Sequence, residues 1–334
     1  MKKFLIKTCL FFGGAIVLII GIYFYTDPFK TIYPFELKNI STVNREYLSV
    51  ELFKKNYAKH RYNSFILCSS RGCGINTYQW KQYLDKEDNQ FLFQAWSETI
   101  MGTCRKLNYL DSHGVSLKNI IILIDIPSSF VKEQESYKTI TIQHYDITGK
   151  SKLFYHYNMF LAYLKPSEIF KSIKDKILCN RESVKFDTIS NDWNNGNREN
   201  YLTPPKQDSL INRDNFSDNI VETLSPPLID SEKKAFLLDI QRILQKHHSK
   251  YKIVITPSYE QTKIHHYDLQ ELYTIFGQQN VFDFSGKNTI STDKYNFSDI
   301  NHFDLVAGWE IIETIYGKKN VSNNNATIEN LNNN

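Results

Sequence analysis

Residues 64–75 read SFILCSSRGCGI, an apolar run from Phe65 to Cys68 that stops abruptly at Ser69, Ser70, Arg71 and two glycines separated by Cys73. The run has the length and composition of a strand buried on both faces, and the small polar residues that follow suit a turn or the N-cap of a helix. A serine at such a strand end is also a candidate nucleophile. In that role it needs a base within reach, and the base needs a third group to orient it.

The same rhythm recurs along the chain. QFLFQAW (90–96), NIIILIDI (119–126), YKIVITP (251–257) and NVFDFSG (280–286) are short apolar runs bounded by turn formers. Helix-like stretches follow or separate them: NTYQWKQYL, MGTCRKLNYLDSH, SEKKAFLLDIQRILQKHH, HYDLQELYTIFGQQ and FDLVAGWEIIETIYG. Phe236, Leu237, Ile240, Ile243 and Leu244 recur at three- and four-residue steps with charged residues between them, as on an amphipathic helix. Continuous apolar strands alternating with such helices predict an α/β fold, a doubly wound parallel sheet covered on both faces. Working residues in such sheets gather at the carboxyl ends of the strands, which is where Ser69 and Ser70 fall.

The rhythm breaks between about residues 127 and 230, a polar span that includes SNDWNNGNREN, TPPK and SPPL. This span is an expected insertion, helical around 151–177 and loop-rich after 180. Residues 27–60 are expected to connect the N-terminal segment to a domain spanning 61–317, and residues 318–334, ending ENLNNN, to form a disordered tail.

At the N-terminus, Lys2, Lys3 and Lys7 precede an apolar run from Cys9 to Tyr25 that carries no charge. At about 1.5 Å per helical residue the run approaches the roughly 30 Å hydrocarbon layer, and Tyr23, Phe24 and Tyr25 suit a membrane interface. A cleavable secretory signal is the rival reading, but the run is long for one and no small-residue cleavage pattern follows it. Residues 1–26 are expected to be an uncleaved single-pass anchor. The leading lysines place the N-terminus in the cytoplasm and the domain outside, in a periplasm or at a cell surface. The 40 basic and 36 acidic residues are nearly balanced and scattered, which argues against nucleic acid as a partner. The five cysteines show no C-x-x-C pair of the kind that holds zinc, and no metal or cofactor is expected.

A base for Ser70 is offered by SDINHFD, which lies between the last predicted strand and the last predicted helix and carries Asp299 three residues before His302. A carboxylate at that spacing can fix the imidazole tautomer and stabilise the imidazolium, although Ser298 or Asp299 could equally cap a helix. A serine after the first strand together with D-x-x-H before the final helix resembles the SGNH (GDSL-like) hydrolase superfamily. The likeness is closest to membrane-anchored members of exopolysaccharide and cell-wall acylation. It implies a flavodoxin-like three-layer fold, with Cys68, Ser69 and Ser70 at the Gly-x-Ser positions. Ser70 would then be the nucleophile, His302 the base and Asp299 the orienting acid.

The sequence also departs from that pattern. Cys68 replaces the glycine, the second block offers only Ser97 or Gly102 as oxyanion-hole donors, and the third block's asparagine is missing after Asp125. Arg71, beside the nucleophile, is a candidate for binding substrate. Cys73 and Cys104, in the first turns after the first two strands, are an expected disulfide pair. The resemblance implies a serine esterase or O-acyltransferase acting on an exported glycan, supplied with acyl groups by a substrate donor or a membrane acyl-transfer partner. A catalytically degenerate domain that binds glycan or an assembly partner is the alternative.

Overall fold

In the computed structural model, which describes residues 1–35, 43–131, 141–178, 187–192, 216 and 220–317, all five expected strands join one parallel sheet. The strands in chain order are β1 (Ser64–Cys68), β2 (Gln90–Gln94), β3 (Asn119–Ile124), β4 (Thr223–Leu224), β5 (Lys250–Ile255), β6 (Thr262–Lys263), β7 (Val281–Asp283), β8 (Phe297–Asp299) and β9 (His302–Phe303). The main sheet runs β2-β1-β3-β5-β7, β4 pairs with β6, and β8 with β9 forms a hairpin. The helices are α1 (Lys2–Thr26), α2 (Arg45–His60), α3 (Thr77–Lys81), α4 (Ile100–Ser112), α5 (Tyr145–Thr148), α6 (Lys152–Tyr163), α7 (Pro166–Leu178), α8 (Ser231–Lys246), α9 (His266–Phe276) and α10 (Leu305–Tyr316).

Because side chains alternate along a strand, the sheet divides its apolar residues between two cores. Phe65 and Leu67 of β1 join Phe91, Phe93, Ile120, Ile122, Ile253 and Ile255 beneath α2, α4, α8 and α9. Ile66 and Cys68 join Leu92, Ile121 and Val254 beneath α3 and α10, where Trp80, Ile311 and Ile312 are fully buried. The sheet is therefore covered on both faces.

Residues 45–60, expected in a connector, form α2, whose Leu48, Val50, Leu52 and Phe53 are buried in the first core. The helix belongs to the domain because its apolar positions cover β2 at the sheet edge. That edge is closed further by the insertion, where Leu92 N donates to Ser190 O at 2.9 Å and the Asn191 side-chain amide donates to Leu92 O. Pairing of this kind removes an open strand edge. Two helices, α6 and α7, occupy the region expected to be helical at 151–177. Most of the loop-rich span and the tail from residue 318 lie outside the described residues.

The apolar N-terminal segment forms one helix, α1, long and apolar enough to cross a membrane, and its apolar window is not buried by the rest of the chain. Its final two turns do touch the domain. Tyr23 is buried in an aromatic collar with Phe29, Tyr47, Tyr145, Tyr155, Met159 and Tyr163, with Ile19 and Ile22 packed against it. The Asp27 carboxylate then accepts hydrogen bonds from the amides of Thr31, Ile32 and Tyr33 and fixes the turn that leaves the helix.

Candidate active site

β1 ends at Cys68, and the chain turns at once into a short 3₁₀ helix, Ser70–Gly74. Ser69 caps that helix, accepting from Arg71 N at 3.1 Å, while its hydroxyl donates to the buried Asp125 carboxylate after β3. Close packing fixes the turn. A Cβ at Gly308 of α10 would lie 1.7 Å from Gly74 O, and one at Gly74 would lie 2.5 Å from the Phe303 ring. A Cβ at Gly72 would strike Cys68 Sγ at 2.1 Å, so the thiol occupies space that glycine at position 72 leaves open.

The hairpin β8–β9 brings the second half of the site to the same place. Phe297 pairs with Phe303 and both rings are buried in the core under α10, which anchors the base of the hairpin. Asp299 and His302 pair at its tip. There His302 Nε2 lies 2.8 Å from Ser70 Oγ, and His302 Nδ1 lies 2.8 Å from Asp299 Oδ2 and 2.9 Å from Oδ1. Asp299 Oδ1 also accepts from the amides of Asn301 and His302, at 2.7 and 3.0 Å, so the carboxylate is held in register with the ring. With Nδ1–H donating to the acid, Nε2 presents a lone pair to the serine hydroxyl.

The other expected site residues fall out differently. Gly102 lies in the first turn of α4 and its amide donates to the capping Thr99 Oγ1 at 3.1 Å, so that donor is already used. Ser97 is exposed on the turn after β2 with φ of 53°. Arg71 is held by the sheet edge: Nη1 donates to Thr256 Oγ1 at 3.2 Å and lies 3.9 Å from Asp125 Oδ1, with the side chain 11% exposed.

The expected Cys73–Cys104 disulfide is not formed, and both are free thiols. Cys73 Sγ accepts from Gln94 Nε2 at 3.1 Å, whereas α4 directs Cys104 toward α8, where its thiol lies 3.3 Å from Asp239 Oδ2. Adjacent turns in the sequence scheme thus point their cysteines at different neighbours. Burial pushes the thiols of Cys68 and Cys73 up and that of Cys104 up to about 12, a direction that disfavours the thiolate.

Two features had no signal in the sequence reading. One is the polar seam at the strand ends: Asp125 accepts from Ser69 and, at 2.7 Å, from Thr256 Oγ1, while Gln94 Nε2 donates to Ser69 O at 3.0 Å and Arg45 Nε to Gln94 Oε1 at 2.7 Å. The other is a group of potential metal ligands, Glu51, His144 and Asp146. Lys54 Nζ already bonds Glu51 and Asp146, at 2.9 and 2.8 Å, and His144 Nδ1 accepts from the Asp146 amide at 3.0 Å, so these residues form an ion-pair network around a lysine.

A scan against protein-family models gives no match, and a search of curated proteins gives none either. The case for function therefore rests on geometry.

Proposed function

We propose that the chain is a membrane-anchored SGNH-like serine esterase or O-acyltransferase acting on an exported glycan. The observation that carries this reading is Ser70 Oγ at 2.8 Å from His302 Nε2, with Asp299 bonded behind the ring. In the reaction, His302 takes the Ser70 hydroxyl proton as Oγ attacks an acyl carbonyl, and the tetrahedral intermediate collapses by expelling an alkoxide that recovers the proton from His302. Water or a sugar hydroxyl then attacks the acyl-enzyme with His302 again as base. Hydrolysis and transfer differ only in this last acceptor.

The sheet order supports the same reading. Counting only the main sheet, the strands run 2-1-3-4-5, the flavodoxin-like order, whose direction switches between β1 and β3. Ligands bind at such a switch point, and Ser70 and Arg71 follow the strand on one side of it while Asp125 follows the strand on the other. Arg71 offers a cation beside the acyl site. The uncleaved-anchor reading gains support from Tyr23, which is 5% exposed inside the collar, since removal of α1 would strip a core residue from the domain. An N-terminus in the cytoplasm and a domain outside follow from Lys2, Lys3 and Lys7.

The spent amide of Gly102 and the acid at position 125 favour the second reading, a glycan- or partner-binding domain without turnover. The two are separated by treating the detergent-solubilised full chain with a fluorophosphonate probe. Stoichiometric labelling that disappears in Ser70→Ala, with an unchanged melting temperature, is the expected result. A folded wild-type chain that takes no label would rule out the activated serine and leave the binding domain.

A further inference from the structure

Helix α6 is apolar on two opposite sides. Tyr155, Met159 and Tyr163, at four-residue steps, are buried in the aromatic collar. Leu153, Phe154, Tyr157, Leu161 and, at the helix C-cap, Leu164 are 81, 56, 54, 43 and 40% exposed. At about 100° per residue those five fall within a stripe roughly 100° wide, centred opposite the buried one. Helix α7 continues the pattern, with Phe170 and Ile177 two turns apart and 74 and 67% exposed. A helix at the surface of a globular domain ordinarily turns charged or polar residues outward at such positions. Contiguous apolar surface of this kind marks an interaction site.

The place of the helix pair identifies what covers it. Both helices are fastened to the end of α1: the Tyr23 ring lies 5.2 Å from Phe160 and 5.0 Å from Tyr163, and Lys176 Nζ lies 5.5 Å from the Tyr25 ring. When α1 spans a bilayer, Tyr23, Phe24 and Tyr25 lie at the interface, and α6 and α7 sit beside that level. Between residues 150 and 178 the chain carries six lysines (150, 152, 165, 171, 174 and 176) against Glu168 and Asp175. Lys152 and Lys176 lie over the Tyr145 and Tyr25 rings, at 5.5 Å each, and Lys150, Lys165, Lys171 and Lys174 accompany the apolar stripes, the composition of a helix lying in the headgroup layer of an anionic membrane.

We propose that α6 and α7 form a membrane-surface plate, seated in the leaflet from which α1 emerges, with Leu153, Phe154, Leu161 and Phe170 in the acyl boundary and the lysines on anionic headgroups. The proposal rests on the reading of α1 as an uncleaved anchor. The plate holds the domain at a fixed tilt on the bilayer, where a single flexible tether would leave it free to swing. An acyl donor or glycan carried by the membrane would then meet the Ser70 edge in one orientation.

The test uses the full chain in nanodiscs containing phosphatidylglycerol, with photoreactive benzoylphenylalanine placed singly at Phe154, Phe170, Phe11 in the middle of α1, or Tyr267 on α9. Tyr267 is 68% exposed and outside the collar. Lipid adducts at 154 and 170 at five or more times the yield at 267, and comparable to 11, are expected, with the yield at 154 falling at least threefold in purely neutral lipid. Adducts at 11 combined with background yields at 154 and 170, or with cross-links between two copies of the chain there, overturn the plate and leave the anchor standing. Background yield at 11 overturns the anchor reading and the plate with it. An unchanged yield at 154 in neutral lipid overturns the role assigned to the lysines.

Discussion

The Ser70–His302 contact depends on an imidazole whose orientation is set from the far side by Asp299. That carboxylate is 55% exposed, so its through-space attraction for a charged ring is screened by water, and its main contribution is to hold Nδ1–H and leave Nε2 free to accept. Asp299→Asn keeps the size of the side chain but can present an N–H to Nδ1, which favours the wrong tautomer. The rate of fluorophosphonate labelling at pH 7 should fall by about a hundredfold to ten-thousandfold, with the melting temperature within about 2 °C of wild type because the side chain is exposed. A labelling rate unchanged in the variant would remove Asp299 from the site. These three residues were legible in the sequence because each lies on a short local pattern, a strand-end serine and D-x-x-H. Asp125, Thr256 and Gln94 were not, since they share no spacing and meet around Ser69 only when β2, β1, β3 and β5 end side by side. The expected disulfide failed for a related reason: proximity of two turns says nothing of which way a helix points one cysteine, and α4 points Cys104 at Asp239.

Elements α2 and α4 are joined by buried charges that no local sequence pattern marks. Lys106 of α4 is fully buried, bonded to Glu98 and 3.6 Å from Glu46 of α2, whose Oε1 accepts from the His144 amide at 3.2 Å. Burial pulls the Lys106 ammonium down, and the two carboxylates more than offset this, so its pKa is raised. Glu46 is pushed up from 4.5 to about 7, chiefly by burial. Its folded pKa lies above its unfolded one, so between about pH 4.5 and 7 the folded chain holds a proton that the unfolded chain releases. The stability this contributes is fully present below pH 4.5 and is lost as pH rises through 7. His144, lowered by burial, slopes the other way below its ordinary value of 6.5. That slope is common to wild type and to Glu46→Gln and cancels when they are compared. The melting temperature of Glu46→Gln minus that of wild type should therefore become more positive from pH 5 to pH 7.5, by roughly 4 °C, and level off above. Thermal melts showing a flat difference across that range would mean that Glu46 is ionised in the fold like an ordinary surface acid. The apolar strands and helices announced themselves by periodicity, whereas α2 hid behind its charges. Arg45, Glu46 and Ser49 are polar, yet they are buried against Gln94, Lys106 and the insertion.

At the scale of the molecule, hydropathy marked α1 as long and apolar enough to cross a membrane but could not say whether its end belongs to the domain. Packing bears on that question. Ile19, Ile22 and Tyr23 fill one side of the collar, against Met159, Phe160 and Tyr163 of α6, and Asp27 organises the turn that follows. A segment destined for removal has no need to supply core residues. Burying a large apolar side chain contributes about 1.5 to 3 kcal/mol, so losing one buried tyrosine and two partly buried isoleucines should cost about 3 kcal/mol or more. Full-length chain and a fragment beginning at residue 27, melted in the same mild detergent, should therefore differ, the fragment unfolding about 6 °C or more lower. Such a fragment should also bind more of a hydrophobic dye before it melts, because Phe160 and Tyr163 lose their cover. Equal melting temperatures and equal dye binding would mean that the domain is complete without α1, and the secretory-signal reading of residues 1–26 would then regain its force. Intact mass of the chain recovered from membranes supplies the independent check, a peptide beginning at or next to Met1 being the expected finding. On the proposed reading, a domain whose core includes residues of α1 would lose stability on release from a bilayer, and Ser70 would meet its substrates at the membrane surface.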